Sequence, residues 1–238
     1  MKCLKLAFVL LVIVLMMALA AVSVGHLGRN SELPEPAALS AISKTENRIT
    51  ENRIEGQRYR FDASQSKFIA HAMAGGLLWF KGHDHLVAVK EFTGEARLTP
   101  DQINPASLEI TAKTGSMVET SSVFTDQQKQ IIDKELREIV LQPAQYPEIV
   151  FRSTQVSGKK LSADQYDLNI TGDLTLHGVT RQISIPTKIT VTGNDLRAVG
   201  EFSIDRGDFK VKATSAVHGL VRVRDKVKFT FDIVGHRT

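Results

Sequence analysis

The densest group of side chains able to do chemistry is Gly82-His83-Asp84-His85, where two imidazoles flank a carboxylate. In an extended chain, residues at i and i+2 share a side, and neutral imidazole suits zinc, copper or iron. A metal centre needs a third ligand, and His71, His177, His218 and His236 lie elsewhere in the chain. The simpler reading makes His83, Asp84 and His85 hydrogen-bonding residues at a strand end, with Arg206 as a further polar candidate. No metal site is assigned, and a metal- or redox-linked protein using this segment is kept as the alternative.

Nothing resembles a catalytic constellation. There is no G-x-S-x-G elbow, P-loop or dinucleotide fingerprint. Asp133 and Glu135 stand two apart on an expected helix, so they diverge. No catalytic residue is assigned and the chain is not expected to be an enzyme.

The elements around these residues are mostly strands. Apolar residues at 166, 168, 170, 174 and 176 alternate with polar ones, with Gly172 in the gap. That is the period of a long strand with one dry face, and an interior glycine marks a bulge or bend. Ile183, Ile185, Ile189 and Val191 repeat the alternation, as do Val227, Phe229, Phe231 and Ile233. Further strands are expected at 59–62 and 66–73, at 85–98 with an interruption at Phe92-Thr93-Gly94, and at 106–113, 148–156, 195–204 and 216–223.

Residues 124–142 break this rhythm. Ile132, Leu136, Ile139 and Val140 recur at helical spacing, Thr125 or Asp126 can cap the start, and Pro143 follows the end. The fold class is therefore all-β, an antiparallel barrel or sandwich with one substantial helix as a lid or plug. Closure would remove the exposed edges of such long strands.

The apolar rows enclose the leading candidate site. From the first half of the chain they supply Phe68, Trp79, Leu108, Ile110 and Phe151, and from the second half Leu168, Ile170, Ile183, Ile185, Phe202, Phe229 and Phe231. Barrels of about eight strands either fill their lumen or hold one ligand, and residue types alone leave both open.

The wording of three segments narrows the choice. Gly172-Asp173-Leu174-Thr175-Leu176-His177-Gly178-Val179-Thr180-Arg181 is preceded by Gln145–Thr154 (QYPEIVFRST) and followed by Gly200–Phe209 (GEFSIDRGDF). In that order and spacing they resemble the YceI-like family, over about residues 58–235. The resemblance implies a lipocalin-like antiparallel barrel whose interior holds a polyisoprenoid or similar long lipid. It implies nothing for a metal at His83 and His85, and it leaves His177 as a residue that fixes a turn.

Composition fits a folded chain, with 42% hydrophobic and 24% charged residues. Of the net charge of +4, Lys2 and Lys5 account for two, which leaves too little to argue for nucleic acid. Between Leu6 and Val24 only Ser23 is polar. As a signal peptide this segment would have its core at Leu6–Met17 and a small-residue cleavage site at Ala18-Leu19-Ala20. As an uncleaved anchor it would span about 28 Å, close to a hydrocarbon core of roughly 30 Å. Either way the lysines stay inside and the rest is exported, to the periplasm or another extracytoplasmic space.

Residues 1–25 thus read as signal peptide or membrane anchor, 26–57 as a flexible linker and 58–238 as the barrel domain. The linker holds Pro34, Pro36 and a duplicated pentapeptide, Thr45–Ile49 and Thr50–Ile54. The only cysteine is Cys3, so the barrel domain has no disulfide.

The function expected is an exported carrier of a long apolar ligand: a polyisoprenoid, an isoprenoid quinone or a fatty-acid derivative. The polar candidates His83, Asp84, His85 and Arg206 would then orient a head group at the barrel mouth. No cofactor is expected beyond a bound isoprenoid lipid. Membrane association would run through residues 6–24, and homodimerisation is compatible with this reading. A ligand-free interaction module docking through the 124–142 helix is the remaining alternative.

Overall fold

The computed structural model describes residues 56–99, 102–216, 218 and 220–238. The N-terminal apolar run and the duplicated pentapeptide lie outside them. The described residues belong to one compact unit, Glu51–Thr238.

The strands are β1 (Gln57–Ala72), β2 (Ala74–Gly75), β3 (His85–Val89), β4 (Phe92–Leu98), β5 (Ala106–Lys113), β6 (Met117–Glu119), β7 (Glu148–Lys160), β8 (Gln165–Leu176), β9 (Val179–Thr192), β10 (Asp195–Asp205), β11 (Ser215–Ala216), β12 (Val221–Val223) and β13 (Lys226–Arg237). The order β1-β4-β5-β7-β8-β9-β10-β13 returns to β1, closing an eight-stranded antiparallel barrel.

β8 shows why the chain folds this way. Tyr166, Leu168, Ile170, Gly172, Leu174 and Leu176 are buried while every intervening residue is half-buried or exposed. Each neighbouring strand must match that parity, because a one-residue slip would turn an apolar row into water. The expected bend at Gly172 is present: the ladder with β7 shifts register between Ser153 and Gln155, opposite Gly172 and Thr171.

The opening segment is one strand rather than two. β1 runs through a register shift between Asp62 and Lys67, where Asp62 accepts from the Ser64 amide at 2.8 Å and the Ser64 hydroxyl at 2.6 Å. Its first half pairs with β4 and its second half with β3, so β3 and β4 act as one bent strand. The break falls at Lys90-Glu91, not at Phe92-Thr93-Gly94, which lie within β4. There the Glu91 amide leaves the ladder and donates to Ser116 Oγ at 2.9 Å. β5 and β6 are broken in step.

The helix is shorter than its periodicity suggests. α1 (Asp126–Glu135) is capped by Thr125, whose Oγ1 accepts from the Gln128 amide at 3.3 Å while Gln128 Oε1 accepts from the Thr125 amide at 2.8 Å. The chain then widens into a π turn, Leu136–Val140, which lets Leu136, Val140 and Leu141 reach the core. Of the strand expected at 216–223, Ala216 ends β11 and Val221–Val223 form β12, with a turn at Leu220. Leu220 and Val221 are adjacent apolar residues that break a period of two, and β11 and β12 instead form a small separate sheet with β2.

Candidate functional site

The barrel interior contains two apolar voids stacked along its length. The far chamber, about 110 Å³, takes its walls from all eight barrel strands, β1, β4, β5, β7–β10 and β13. Among its described lining residues only Arg97, Ser107 and Thr187 are polar. Two of these are already engaged: Arg97 donates to Glu95 at 3.3 Å, and the Thr187 hydroxyl donates to the Ile185 carbonyl at 3.2 Å. The helix-side chamber, about 160 Å³, lies under Ile132, Glu135 and Leu136 and includes His85, Arg206, Lys212 and Thr214.

Phe68, Ala112, Ile149, Leu174 and Phe202 line both chambers, so they form the wall between them. The aromatic part of that wall is continuous. Phe202 stacks on Phe229 with centroids 5.0 Å apart, and Phe68 meets Phe229 and Phe231 edge-on at 6.1 and 6.4 Å. Such contacts add about 0.5–1.5 kcal/mol per pair beyond the area buried.

The apolar residues singled out by alternation fall on this interior. Leu108, Ile110, Phe151, Leu168, Ile170, Ile183, Ile185 and Phe231 line the far chamber, Phe229 the helix-side chamber, and Phe68 and Phe202 both. Trp79 does not. It sits in a short 3₁₀ turn, Trp79–Lys81, and is 55% exposed outside the barrel. A large lone aromatic reads as core, but Trp79 belongs to no strand row and the turn faces it outward. Alternation puts Ala112 on the face of Leu108 and Ile110, but neither it nor its cross-strand partner Ile149 is among the candidates for the lumen.

The polar candidates divide. His85 and Arg206 share the helix-side chamber, whereas His83 and Asp84 line neither chamber. His85 Nδ1 lies 2.8 Å from Glu119 Oε2, and its ring stacks on Phe124 at 5.1 Å. The Glu119 carboxylate has no exposed surface. Its Oε1 also accepts from the Leu86 amide at 3.1 Å and the Ser121 amide at 2.7 Å. Buried charge is tolerated when so bonded.

His83 meets Phe124 edge-on at 5.8 Å, and Asp84 accepts from the Ala74 amide at 2.8 Å. Among the described residues no three His, Cys, Asp or Glu side chains gather as metal ligands. Arg206 donates from Nη1 to the Val211 carbonyl at 2.8 Å and from Nη2 to Asp225, while its Nε is buried without a protein partner.

The arrangement can take up apolar matter and has a few polar groups at one end. The YceI-like domain model matches residues 59–235. The chain belongs to the YceI-like family. Over 127 residues it is 37% identical to the YceI protein of Escherichia coli, a match spanning 52% of this chain and 60% of that protein. In fold it is similar to BcnA of Burkholderia cenocepacia (TM-score 0.57, 20% identity, 73% of this chain and 98% of that one). It is also similar to a polyisoprenoid-binding domain from Saccharophagus degradans implicated in plant cell wall breakdown (TM-score 0.52, 12% identity, 76% and 98%).

The YceI-like motif at 172–181 builds the β8–β9 turn. His177 (φ 51°) and Gly178 (φ 73°) take the left-handed conformations that this turn requires. The His177 ring lies 4.0 Å from that of Tyr146, and its Nε2 is 3.0 Å from Gln142 Oε1. The motif thus ties the hairpin to the segment after the π turn.

Proposed function

We propose that this protein is an exported carrier that holds a long apolar molecule, such as a polyisoprenoid, an isoprenoid quinone or a fatty-acid derivative, along the barrel axis. The observation that carries the reading is the pair of apolar chambers in a YceI-like barrel, separated by side chains and not by backbone. Burial of apolar surface supplies the affinity, at about 25 cal/mol per Å² before ordering is subtracted. Each void is close to the size that admits a benzene ring, roughly 150 Å³. A longer chain therefore threads both chambers only when Phe68 and Phe202 turn aside. His85 and Arg206 at the helix side supply the polar groups that orient a head group.

Export rests on Lys2 and Lys5 ahead of the apolar run at 6–24. Native mass spectrometry of the chain recovered from its own membrane and exported fractions, followed by organic extraction, tests the proposal. A discrete added mass that extracts as one apolar species is expected. An apo mass throughout, with no uptake of added isoprenoid lipid, would reduce the chambers to packing defects.

A further inference from the structure

Two loops at the helix-side end carry exposed apolar residues that the barrel does not use. The first, between β2 and β3, presents Leu77, Trp79 and Phe80 at 76, 55 and 63% exposure. The second, between β11 and β12, presents Leu220. They form one surface: the Leu78 amide donates to the Leu220 carbonyl at 2.9 Å, and Arg222 pairs with Gly75. That surface borders the helix-side chamber, because the residues flanking the loops, Ala72, His85, Thr214 and Val223, line it.

The charge on the same segments is net positive. The β2–β3 loop holds Lys81 and Asp84, whose carboxylate accepts from the Ala74 amide, and residues 210–224 contain Lys210, Lys212, Arg222 and Arg224. Bulky apolar side chains beside an excess of cations match a membrane interface: the rings enter the headgroup region and the cations meet anionic lipid. Protruding rings also anchor protein interfaces, and the excess of cations is what favours an anionic lipid surface here.

We propose that the Leu77–Lys81 and Leu220–Arg222 loops dock the mouth of the helix-side chamber onto an anionic phospholipid surface. Docking there opens the chamber toward the lipid phase, so an apolar molecule can move between bilayer and barrel without crossing water. The docking surface stands whether or not the chambers carry cargo.

Trp79 is the only tryptophan in the chain, so its fluorescence reports the loop and nothing else. The full chain is mixed with vesicles of equal parts phosphatidylglycerol and phosphatidylcholine, or of phosphatidylcholine alone. Brominated lipid and aqueous acrylamide serve as the two quenchers. On the anionic vesicles the emission should shift blue, be quenched by lipid brominated near the headgroup and be protected from acrylamide. In the exposed-site variant Lys81→Glu/Arg222→Glu this response should weaken by at least about fivefold for each charge removed.

Vesicle-bound chain whose Trp79 stays open to acrylamide would overturn the proposal, since the N-terminal run alone would then hold the protein. Protection that ignores lipid charge, or that occurs without vesicles, would overturn it too and point to a protein surface. Loss of extractable cargo bears only on the carrier reading and leaves this result unchanged.

Discussion

Phe231 of β13 lies across Gly200, its paired residue on β10. A Cβ at Gly200 would stand 2.5 Å from Phe231 Cζ and 2.4 Å from the Pro186 carbonyl oxygen. Gly172 makes the same allowance for Phe151, whose Cζ would be 2.6 Å from an added Cβ. Both rings line the far chamber. The glycines let them lie against the sheet, which keeps the lumen from being filled by rings standing upright.

Gly200→Ala should therefore destabilise the fold by about 1–3 kcal/mol through overpacking. Phe231→Leu in the same chain should recover only part, since the contact with the Pro186 backbone stays. Thermal unfolding of the two single variants and the double variant checks this. Full recovery in the double variant would mean that the ring alone sets the constraint.

Much of this barrel was legible in the sequence. The alternation in β8, β9 and β13 placed their apolar faces correctly, because each of these strands keeps one parity for most of its length. The chamber residues on them followed directly. The kink at Lys90-Glu91 was not legible, since it depends on Ser116, which is distant in sequence and satisfies the freed amide. Trp79 was misplaced because size and aromaticity indicate burial only when a residue belongs to a row. Glu119 gave no signal at all: its burial depends on three donors that tertiary structure alone brings together.

Glu119 is the residue on which the helix-side rim should depend most. Glu119→Ala leaves the Leu86 and Ser121 amides without their acceptor and His85 without its partner. Loss of one member of a buried charged set typically costs about 3–5 kcal/mol. Glu119→Gln keeps an acceptor for the amides and should cost less than half as much. Denaturant unfolding gives both values, and equal losses would show that the negative charge, not the amide bonding, is what matters there.

Two histidines should pull the pH dependence of stability in opposite directions. His236 is raised above its ordinary 6.5, chiefly by its hydrogen bond to Asp195 and then by Asp62. Its contribution is complete below pH 6.5 and is lost as pH rises through the folded value. His177 is lowered from 6.5, by burial first and by nearby Lys212 second. It takes up a proton more readily when unfolded, so stability falls as pH drops from 6.5 toward the folded value. His177→Asn, which tolerates the left-handed backbone, should flatten the acid side of a melting-temperature profile. His236→Gln should lower melting temperature at acid pH and converge on the parent at alkaline pH. A profile unchanged by either substitution would mean that other groups set the pH dependence.

The partition between the chambers gives the most direct test of cargo length. Phe202 touches both voids and stacks on Phe229, so Phe202→Ala should join the chambers at a loss of about 3–5 kcal/mol in the empty protein. A long apolar ligand no longer has to displace that ring, so the variant should bind long isoprenoids more tightly relative to short ones, and bound ligand should restore part of the lost stability. Ala112→Phe acts in the opposite direction. Ala112 is buried in the same wall, and a ring there fills the passage at an overpacking cost of about 1–3 kcal/mol. Titration with isoprenoid alcohols of increasing length, read by native mass spectrometry, should show the length preference rising in Phe202→Ala and long-chain uptake lost in Ala112→Phe. If both variants keep the parent's length profile, ligand does not pass between the two chambers and the wall is structural only.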